Sequence, residues 1–154
     1  MSIFRIREDD LTADQVRALL AFHLSEARTN TPVEFSFALD LSGLKTPDMT
    51  VWTAWDADEL AGIAALKDLG DGSGEVKSMR TDPQHLRQGV ASALLRHIIS
   101  EARRRGMRRL LLETGTVPAY EPAWALYRSH GFEDGEPFAD YQPSAFNRFL
   151  KLEL

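Results

Sequence analysis

Residues 85–95 read His85-Leu86-Arg87-Gln88-Gly89-Val90-Ala91-Ser92-Ala93-Leu94-Leu95, a charged, glycine-containing turn followed by an apolar helical repeat. The turn comes directly after residues 75–81, whose pattern is typical of a strand. A strand, a tight turn and a helix start bring several unpaired backbone N–H groups together at the positive end of a helix dipole. Such a concavity is suited to binding phosphate. A glycine before a helix is more commonly an ordinary loop or capping residue, so this interpretation depends on the rest of the sequence.

The composition limits the chemistry that is available to the protein. The chain has 154 residues, no cysteine and a formal net charge of −5. This length suits one domain, 1–154, that buries roughly 70% of the surface of its unfolded chain. Without cysteine there is neither a disulfide framework nor a thiolate nucleophile. The four histidines lack the spacing of metal ligands, so we expect surface or capping roles for them and no metal site.

Charge and hydropathy restrict the partners. The net negative charge argues weakly against nucleic acid, because duplex binding needs a concentrated basic face. The main basic run, residues 103–109, is short and is interpreted as a helix C-terminus. No apolar run is long enough to span a bilayer, and residues 1–7 alternate in polarity instead of forming a signal peptide. We therefore expect a soluble, cytoplasmic protein that binds neither nucleic acid nor membranes.

The first half of the chain predicts a strand, a helix and an antiparallel meander. The strand is Ile3–Arg7, and the apolar spacing of residues 11–27 indicates an amphipathic helix with Thr12 and Gln15 at the spacing of a capping box. Residues 29–37 are either a loop with a short helix or an adaptable lid. Three successive strands follow, separated by polar and glycine-rich turns: Thr50–Trp55, Leu60–Leu69 and Glu75–Thr81.

The second half alternates helices with strands. Apolar residues recur at helical spacing from Val90 until Gly106 supplies a stop. A short apolar strand, a second helix and a final strand are then predicted over Leu110–Glu113, Ala123–Ser129 and Phe146–Leu154. This order predicts an α/β fold in which helices cover a mixed sheet.

Two further motifs give the turn its context. Residues 74–83 read Gly-Glu-Val-Lys-Ser-Met-Arg-Thr-Asp-Pro, and residues 126–132 read Leu-Tyr-Arg-Ser-His-Gly-Phe. With these motifs the chain resembles the GNAT acetyltransferase superfamily, whose turn reads Gln/Arg-x-x-Gly-x-Gly/Ala and whose next helix ends in Leu-Tyr-x-x-x-Gly-Phe. The resemblance extends over nearly the whole chain in element order. It is closer to small bacterial members that carry the motifs found here at Lys77–Thr81, Glu113–Gly115 and Pro137–Tyr141.

The resemblance implies a GNAT-like fold that binds acetyl-coenzyme A. The pantetheine arm would lie along the fourth strand against the backbone of residues 79–81, and the diphosphate would lie against the amides of residues 87–92. The chain departs from the family at Leu86, where Gln or Arg is usual, and at Tyr120, where Asn is frequent. The implied coenzyme contacts are Met79, Arg80, Thr81, Arg87, Gln88, Gly89, Val90, Ala91, Ser92, Tyr120 and Tyr127.

The resemblance also implies catalytic roles. Direct attack by an amine needs a base, a donor for the developing oxyanion and an acid for the departing thiolate. The corresponding groups would be the Glu75 carboxylate, the Met79 N–H and the Tyr127 phenol. Strand alternation predicts that Glu75, Lys77, Met79 and Thr81 share one face. The alternative interpretations are a surface carboxylate paired with Lys77 for Glu75 and a packed ring with a hydrated hydroxyl for Tyr127.

The acceptor side of the cleft is expected to involve Glu34, Phe37, Asp140 and Tyr141, together with Phe35. A carboxylate and aromatic rings can hold a cationic amine, although Phe35 and Phe37 are equally compatible with a place in the core. The sequence thus favours an N-acetyltransferase that acts on the primary amine of a small polar molecule. The alternatives are a coenzyme A binding sensor without chemistry and a protein or peptide N-acetyltransferase. A homodimer is a reasonable expectation.

Overall fold

The computed structural model describes residues 3–30 and 41–154. Residues 31–40, which include Glu34, Phe35 and Phe37, lie outside the described residues, so their assignment to the acceptor side stays a prediction. The helices and strands of the described residues, in chain order, are β1 (Arg5–Glu8), α1 (Asp14–Asn30), β2 (Met49–Asp56), β3 (Glu59–Asp68), β4 (Ser73–Thr81), α2 (Val90–Arg104), β5 (Arg109–Gly115), α3 (Glu121–Ser129), β6 (Glu133–Asp134) and β7 (Asn147–Glu153).

The strands form one seven-stranded sheet in the order β1-β2-β3-β4-β5-β7-β6. Strands β2, β3 and β4 form the predicted antiparallel meander, and β1 adds to its outer edge. Strands β4 and β5 are parallel, and β5, β7 and β6 pair in antiparallel fashion. The predicted α/β fold with a mixed sheet is therefore confirmed.

The parallel pair at the centre of the sheet is short. Residues 73–75 of β4 pair with residues 109–111 of β5, and no further pairing continues along these two strands. The rest of β4, residues 76–81, and the end of β5, residues 112–115, therefore have no ladder between them. A cleft opens at this split, so the two strand edges that line it keep backbone groups available to a ligand.

Helix α2 and helix α1 cover opposite faces of the sheet. The apolar side of α2 is fully buried at Leu94, Leu95 and Ile98, in a core that also includes Tyr127 of α3. Helix α1 packs on a second, smaller core that contains Ile63 of β3. The apolar residues whose spacing predicts these two helices are therefore the residues that pack against the sheet.

A close backbone approach holds the start of α2 on the sheet. A Cβ atom added at Gly62 of β3 would lie 2.6 Å from Val90 Cγ1 and 3.1 Å from the Arg80 carbonyl oxygen. Because no side chain fits there, Gly62 allows the first turn of α2 to lie directly against β3 beside the cleft.

The start of α1 differs from the prediction. The helix begins at Asp14 and continues to Asn30, and the predicted capping box is wrong. The Gln15 side chain instead accepts from the Leu60 N–H at 3.1 Å and donates to the Asp58 carbonyl at 3.2 Å. The hydrogen-bonding groups of the Gln15 side chain are therefore paired with the turn between β2 and β3. This turn is distant in sequence, so the local pattern of a helix start does not predict the contact.

A bulge in β4 overturns the prediction that Glu75, Lys77, Met79 and Thr81 share one face. Lys77 pairs with Ala65 and Arg80 with Ile63, so two residues of β4 oppose a single residue of β3. Ser78 in the bulge has a positive φ of 55°. Because the extra residue reverses the alternation, Lys77 and Arg80 lie on the α1 face while Met79 packs with the core beneath α2.

Candidate active site

A cleft of about 700 Å³ lies where β4 and β5 separate. It is reached from both sides of the sheet, because residues of α1 contribute to one end and residues of α2 and α3 to the other. The side chains and backbone that line it include His23, Glu26, Glu75, Lys77, Ser78, Met79, Arg80, Thr81, Leu86, Arg87, Gly89, Val90, Ala91, Ser92, Glu113, Gly115, Tyr120, Tyr127 and Tyr141. The split therefore joins the face of the sheet that carries α1 to the face that carries α2.

The turn before α2 presents free amides to this cleft. Gly89 is the N-cap of α2 with φ of 86°, and Arg87 also has a positive φ, 63°. Among residues 3–30 and 41–154, nothing accepts a hydrogen bond from the main-chain N–H groups of residues 87–92. Successive unpaired amides at a helix N-terminus form a concavity that favours phosphate.

The space in front of these amides is open. A Cβ added at Gly89 would meet no atom of the described residues within 4 Å, unlike one at Gly62. Leu86, which stands where the family usually has a polar side chain, is 59% exposed and lines the same cleft. Gln88 is exposed and is not among the residues that line the cleft, whereas its neighbours Arg87 and Gly89 are. The room beside Gly89 suits a group that approaches the backbone closely.

A side-chain contact fixes the turn relative to α3. The Leu126 carbonyl lies 3.0 Å from His130 Nδ1, so Nδ1 carries the proton and donates. The other ring nitrogen, Nε2, forms a hydrogen bond with Ser92 Oγ at 3.0 Å. This pair joins the first turn of α2 to the end of α3.

Tyr127 of α3 lines the cleft. Its side chain is buried and packs edge to face on Phe132, with ring centroids 5.7 Å apart. Burial raises the pKa of Tyr127 to about 12, and the Arg80 charge opposes that rise. None of the described residues accepts a hydrogen bond from its hydroxyl. The phenol therefore keeps its proton at neutral pH and can donate it to a group that enters the cleft.

The α1 face of the split carries a charged cluster. Glu75 is 2% exposed, and its carboxylate accepts from Lys77 Nζ at 3.0 Å and from the Tyr141 hydroxyl. Lys77 also donates to the Tyr141 oxygen. Burial and the Glu75 charge raise the pKa of Tyr141, so this phenol stays protonated. The predicted ion pair of Glu75 with Lys77 is thus present, but inside the cleft and not on the surface.

Glu113 of β5 completes this cluster and is absent from the residues that sequence reasoning selects for a role. Burial raises its pKa to about 7, while the side chain of Asn147 and the charge of Lys77 act in the opposite direction. The Glu113–Gly115 motif marks the position in the sequence. No local pattern indicates that its carboxyl becomes buried next to Glu75, because β4 and β5 are joined through α2.

The remaining predicted positions divide between the cleft and the surface. Tyr120 lies in the cleft, with its ring over the backbone of Gly115, where an added Cβ would be 2.3 Å from the ring. Tyr141 lines the cleft beside Glu75 and Lys77, whereas Asp140 is exposed and is not among the residues that line the cleft. Of the two adjacent residues predicted to line the cleft, Tyr141 does so and Asp140 does not.

The prediction of surface or capping roles for the histidines is wrong for His85, which is buried, while the side chain of Asp82 caps the turn that contains His85. His85 is 5% exposed, with Nε2 3.4 Å from a Glu59 oxygen and Nδ1 3.5 Å from an Asp82 oxygen. It joins the β2–β3 turn to the segment before the coenzyme turn. Within residues 3–30 and 41–154, no cluster of histidine and carboxylate residues has the arrangement of a metal site. None of the described helices is long and apolar enough to cross a bilayer.

Comparisons with known proteins agree with this geometry. The sequence profile of the Acetyltransferase (GNAT) family matches residues 13–132. The uncharacterized N-acetyltransferase YedL of Escherichia coli (strain K12) is 50% identical over 152 residues, which cover 99% of this chain and 96% of that protein. A crystal structure from Klebsiella pneumoniae, described as an acyl-CoA N-acyltransferase, is 30% identical with a TM-score of 0.82, covering 98% of this chain and 97% of that one.

A Bacillus subtilis acetyltransferase solved in complex with CoA shares the fold at a TM-score of 0.70, with 21% identity, covering 98% of this chain and 99% of that one. The split sheet, the turn before α2 and these matches define the class of the protein as an N-acetyltransferase. The chain belongs to the GNAT acetyltransferase family and is an N-acetyltransferase.

Proposed function

We propose that this N-acetyltransferase moves an acetyl group from acetyl-coenzyme A to the primary amine of a small polar acceptor. The observation that carries the proposal is one continuous cleft with free amides of residues 87–92 on one side and the Glu75–Glu113 cluster on the other. The amine nitrogen forms a bond to the acetyl carbon while the carbon–sulfur bond breaks. The amine loses one proton, and the departing sulfur receives one.

The chain has the groups needed to hold the coenzyme. The amides of residues 87–92 would bind the diphosphate, and the edge of β4 at residues 79–81 would bind the pantetheine arm. The open space at Gly89 fits this assignment because a close approach to the backbone is possible there. The Bacillus subtilis acetyltransferase of the same fold is in complex with CoA, which supports coenzyme A as the kind of ligand. Acetyl-coenzyme A would supply the activated acetyl group.

Tyr127 and Met79 are assigned to the departing side of the reaction. The Tyr127 phenol, which is protonated at neutral pH, donates a proton to the sulfur. The Met79 N–H lies in the bulge of β4, where Ser78 and Met79 have no partners in register on β3. We assign this main-chain donor to the acetyl oxygen, where it would stabilise the developing negative charge.

The carboxylate cluster is assigned to proton removal. The sequence favours Glu75 as the base, yet Glu75 is engaged by Lys77 and Tyr141, and an ion-paired carboxylate is a weak base. Glu113 lies in the same cleft with its pKa raised to about 7 by burial, and the Glu75 charge contributes to the rise. We therefore assign proton removal to Glu113 and the positioning of Lys77 and Tyr141 to Glu75.

Glu113→Gln is expected to lower kcat/KM by about 10²-fold, the usual contribution of a positioned base. In the wild type, kcat/KM should rise with pH through the ionisation of Glu113 near 7, because the base must be deprotonated. The variant should lack this rise. In Glu75→Gln the rise should remain and move to lower pH, since a neighbouring negative charge has been removed. A rise that persists unchanged in Glu113→Gln would assign proton removal elsewhere.

The function itself is tested by incubating the protein with acetyl-coenzyme A and a panel of small amines while free thiol is followed. Acceptor-dependent thiol release, with an acetylated product of the matching mass, supports the proposal. Binding of acetyl-coenzyme A without release above hydrolysis for any small amine or peptide would indicate a sensor. Release with peptides alone would indicate peptide acetylation.

A further inference from the structure

Arg80 is a charged side chain in the cleft that the proposed chemistry does not use. It lies on the α1 face through its register with Ile63, and its Nε donates to His23 Nδ1 at 3.0 Å. Its guanidinium carbon lies 5.6 Å from the centre of the Phe22 ring. Over residues 3–30 and 41–154, no carboxylate lies within ion-pair distance of the guanidinium. The Glu26 carboxylate lines the same cleft and its charge acts on Arg80, but it forms no direct ion pair with the guanidinium. A partly buried cation without a directly paired anion can still bind an incoming group that supplies negative charge.

His23 holds this guanidinium in place. Burial and the Arg80 charge lower the pKa of His23 to about 4, so the ring is neutral at pH 7 and Nδ1 can accept. Because Nε of Arg80 is used by His23, the two terminal nitrogens are the donors that remain. No acceptor for them is found in the described part of the chain. A planar pair of N–H donors matches the two oxygens of a carboxylate.

The Glu75–Glu113 cluster lies along the same face of β4. Lys77 and Arg80 oppose residues of β3 that are two positions apart, which corresponds to about 7 Å along the strand. The cluster contains two carboxyl groups and one ammonium, so it favours a cationic amine once Glu113 is ionised. The coenzyme phosphates are assigned to the turn before α2, which packs on the opposite face of the sheet. The Arg80 charge also acts on Tyr120 and Tyr127, but the contacts of its guanidinium with His23 and Phe22 of α1 hold it on the face of the cluster. On this ground Arg80 is assigned to the acceptor and not to the coenzyme diphosphate.

We propose that the acceptor is an amino acid, with its amine at the Glu75–Glu113 cluster and its carboxylate bound by Arg80. This inference rests on the proposed function and specifies its substrate class. The free carboxylate would be recognised through two charge-assisted hydrogen bonds from the terminal nitrogens. Removal of the carboxylate from the acceptor would leave the guanidinium unpaired in the cleft, so the enzyme would discriminate against amines that lack it.

The test compares α- and ω-amino acids with their primary amides, which keep the amine and remove the carboxylate charge. In the wild type, kcat/KM is expected to favour the best amino acid over its amide by about 10- to 100-fold. Arg80→Gln should reduce that preference to near one, and Arg80→Lys should keep part of it, since lysine retains the charge without the fork. An amino acid and its amide differ in the basicity of the amine, which also affects kcat/KM. Comparing the preference of each variant with that of the wild type removes this contribution, because it is the same in every protein.

Two further measurements separate the possible causes. The affinity for acetyl-coenzyme A, from calorimetry, should change less than about twofold in Arg80→Gln, because no coenzyme phosphate is lost from Arg80. The matched control is Arg103→Gln, an exposed arginine near the end of α2 and outside the cleft, which should retain the wild-type preference. Thermal melting of each variant verifies that it is folded.

If Arg80→Gln lowers kcat/KM for the amino acid and for its amide by the same factor, the inference is overturned. Arg80 would then act on the chemistry at Tyr127 and not on the carboxylate of the acceptor. Turnover of simple amines without any preference for a carboxylate would also overturn the inference while leaving the proposed function intact. Calorimetry of amino acids and amides with the coenzyme A complex tests the same contact without turnover. If the amino acids bind more tightly and Arg80→Gln removes the difference, the inference holds even where no acetyl transfer is measured.

Discussion

Gly89→Glu is expected to weaken acetyl-coenzyme A binding by at least about 100-fold, since several charge-assisted hydrogen bonds to phosphate depend on this turn. The substitution places a negative side chain in the open space where the diphosphate is assigned. It also puts a non-glycine residue at a φ of 86°, which strains the turn and disturbs the convergence of the amides. The affinity is measured by titration calorimetry with acetyl-coenzyme A.

Gly106→Glu is the matched control for backbone strain. Gly106 follows the other end of α2, has a φ of 80°, and likewise has no atom of the described residues within 4 Å of an added Cβ. This variant carries the same charge change and a similar strain, but it should bind acetyl-coenzyme A as the wild type does. If Gly89→Glu binds the coenzyme with unchanged affinity, the assigned position of the diphosphate is wrong.

Tyr127→Phe is expected to lower kcat by about 10²- to 10⁴-fold while the affinity for acetyl-coenzyme A changes little. The hydroxyl has no acceptor among the described residues, so its removal takes away a proton donor without breaking a contact of the fold. The edge-to-face packing on Phe132 is available to phenylalanine as well. Steady-state kinetics and coenzyme titration together distinguish a loss of chemistry from a loss of binding.

The melting temperature of Tyr127→Phe should stay within a few degrees of the wild type, because packing is conserved. A variant that turns over as fast as the wild type would remove Tyr127 from the mechanism. A variant with normal kcat and poor coenzyme affinity would instead make Tyr127 a binding residue.

The elements that sequence reasoning locates best have strong local signals. Apolar residues at helical spacing define α2, and the glycine before it marks the turn. The three strands of the meander are found because polar turns separate them. These features depend on residues within a few positions of one another, which is the range that periodicity and turn chemistry describe.

The features that escape prediction depend on contacts between distant segments. A single extra residue at Ser78 reverses the alternation of β4, and no composition signal marks it. The neutral His23 becomes a partner of Arg80 because α1 packs on β4. Glu113 acquires its raised pKa when β5 enters the sheet beside Glu75. The turn before α2 is therefore largely local in sequence, whereas the Glu75–Glu113 cluster is assembled by the tertiary fold.

The central claim is that the amides of residues 87–92 bind the coenzyme diphosphate. At 17.3 kDa, the protein is accessible to amide NMR, and a titration of ¹⁵N-labelled protein with coenzyme A tests the claim directly. Large downfield shifts of the Gly89, Val90, Ala91 and Ser92 amides are predicted with coenzyme A, and no comparable shifts with pantetheine, which lacks the diphosphate. Saturation by coenzyme A with these four amide signals unmoved would contradict the account.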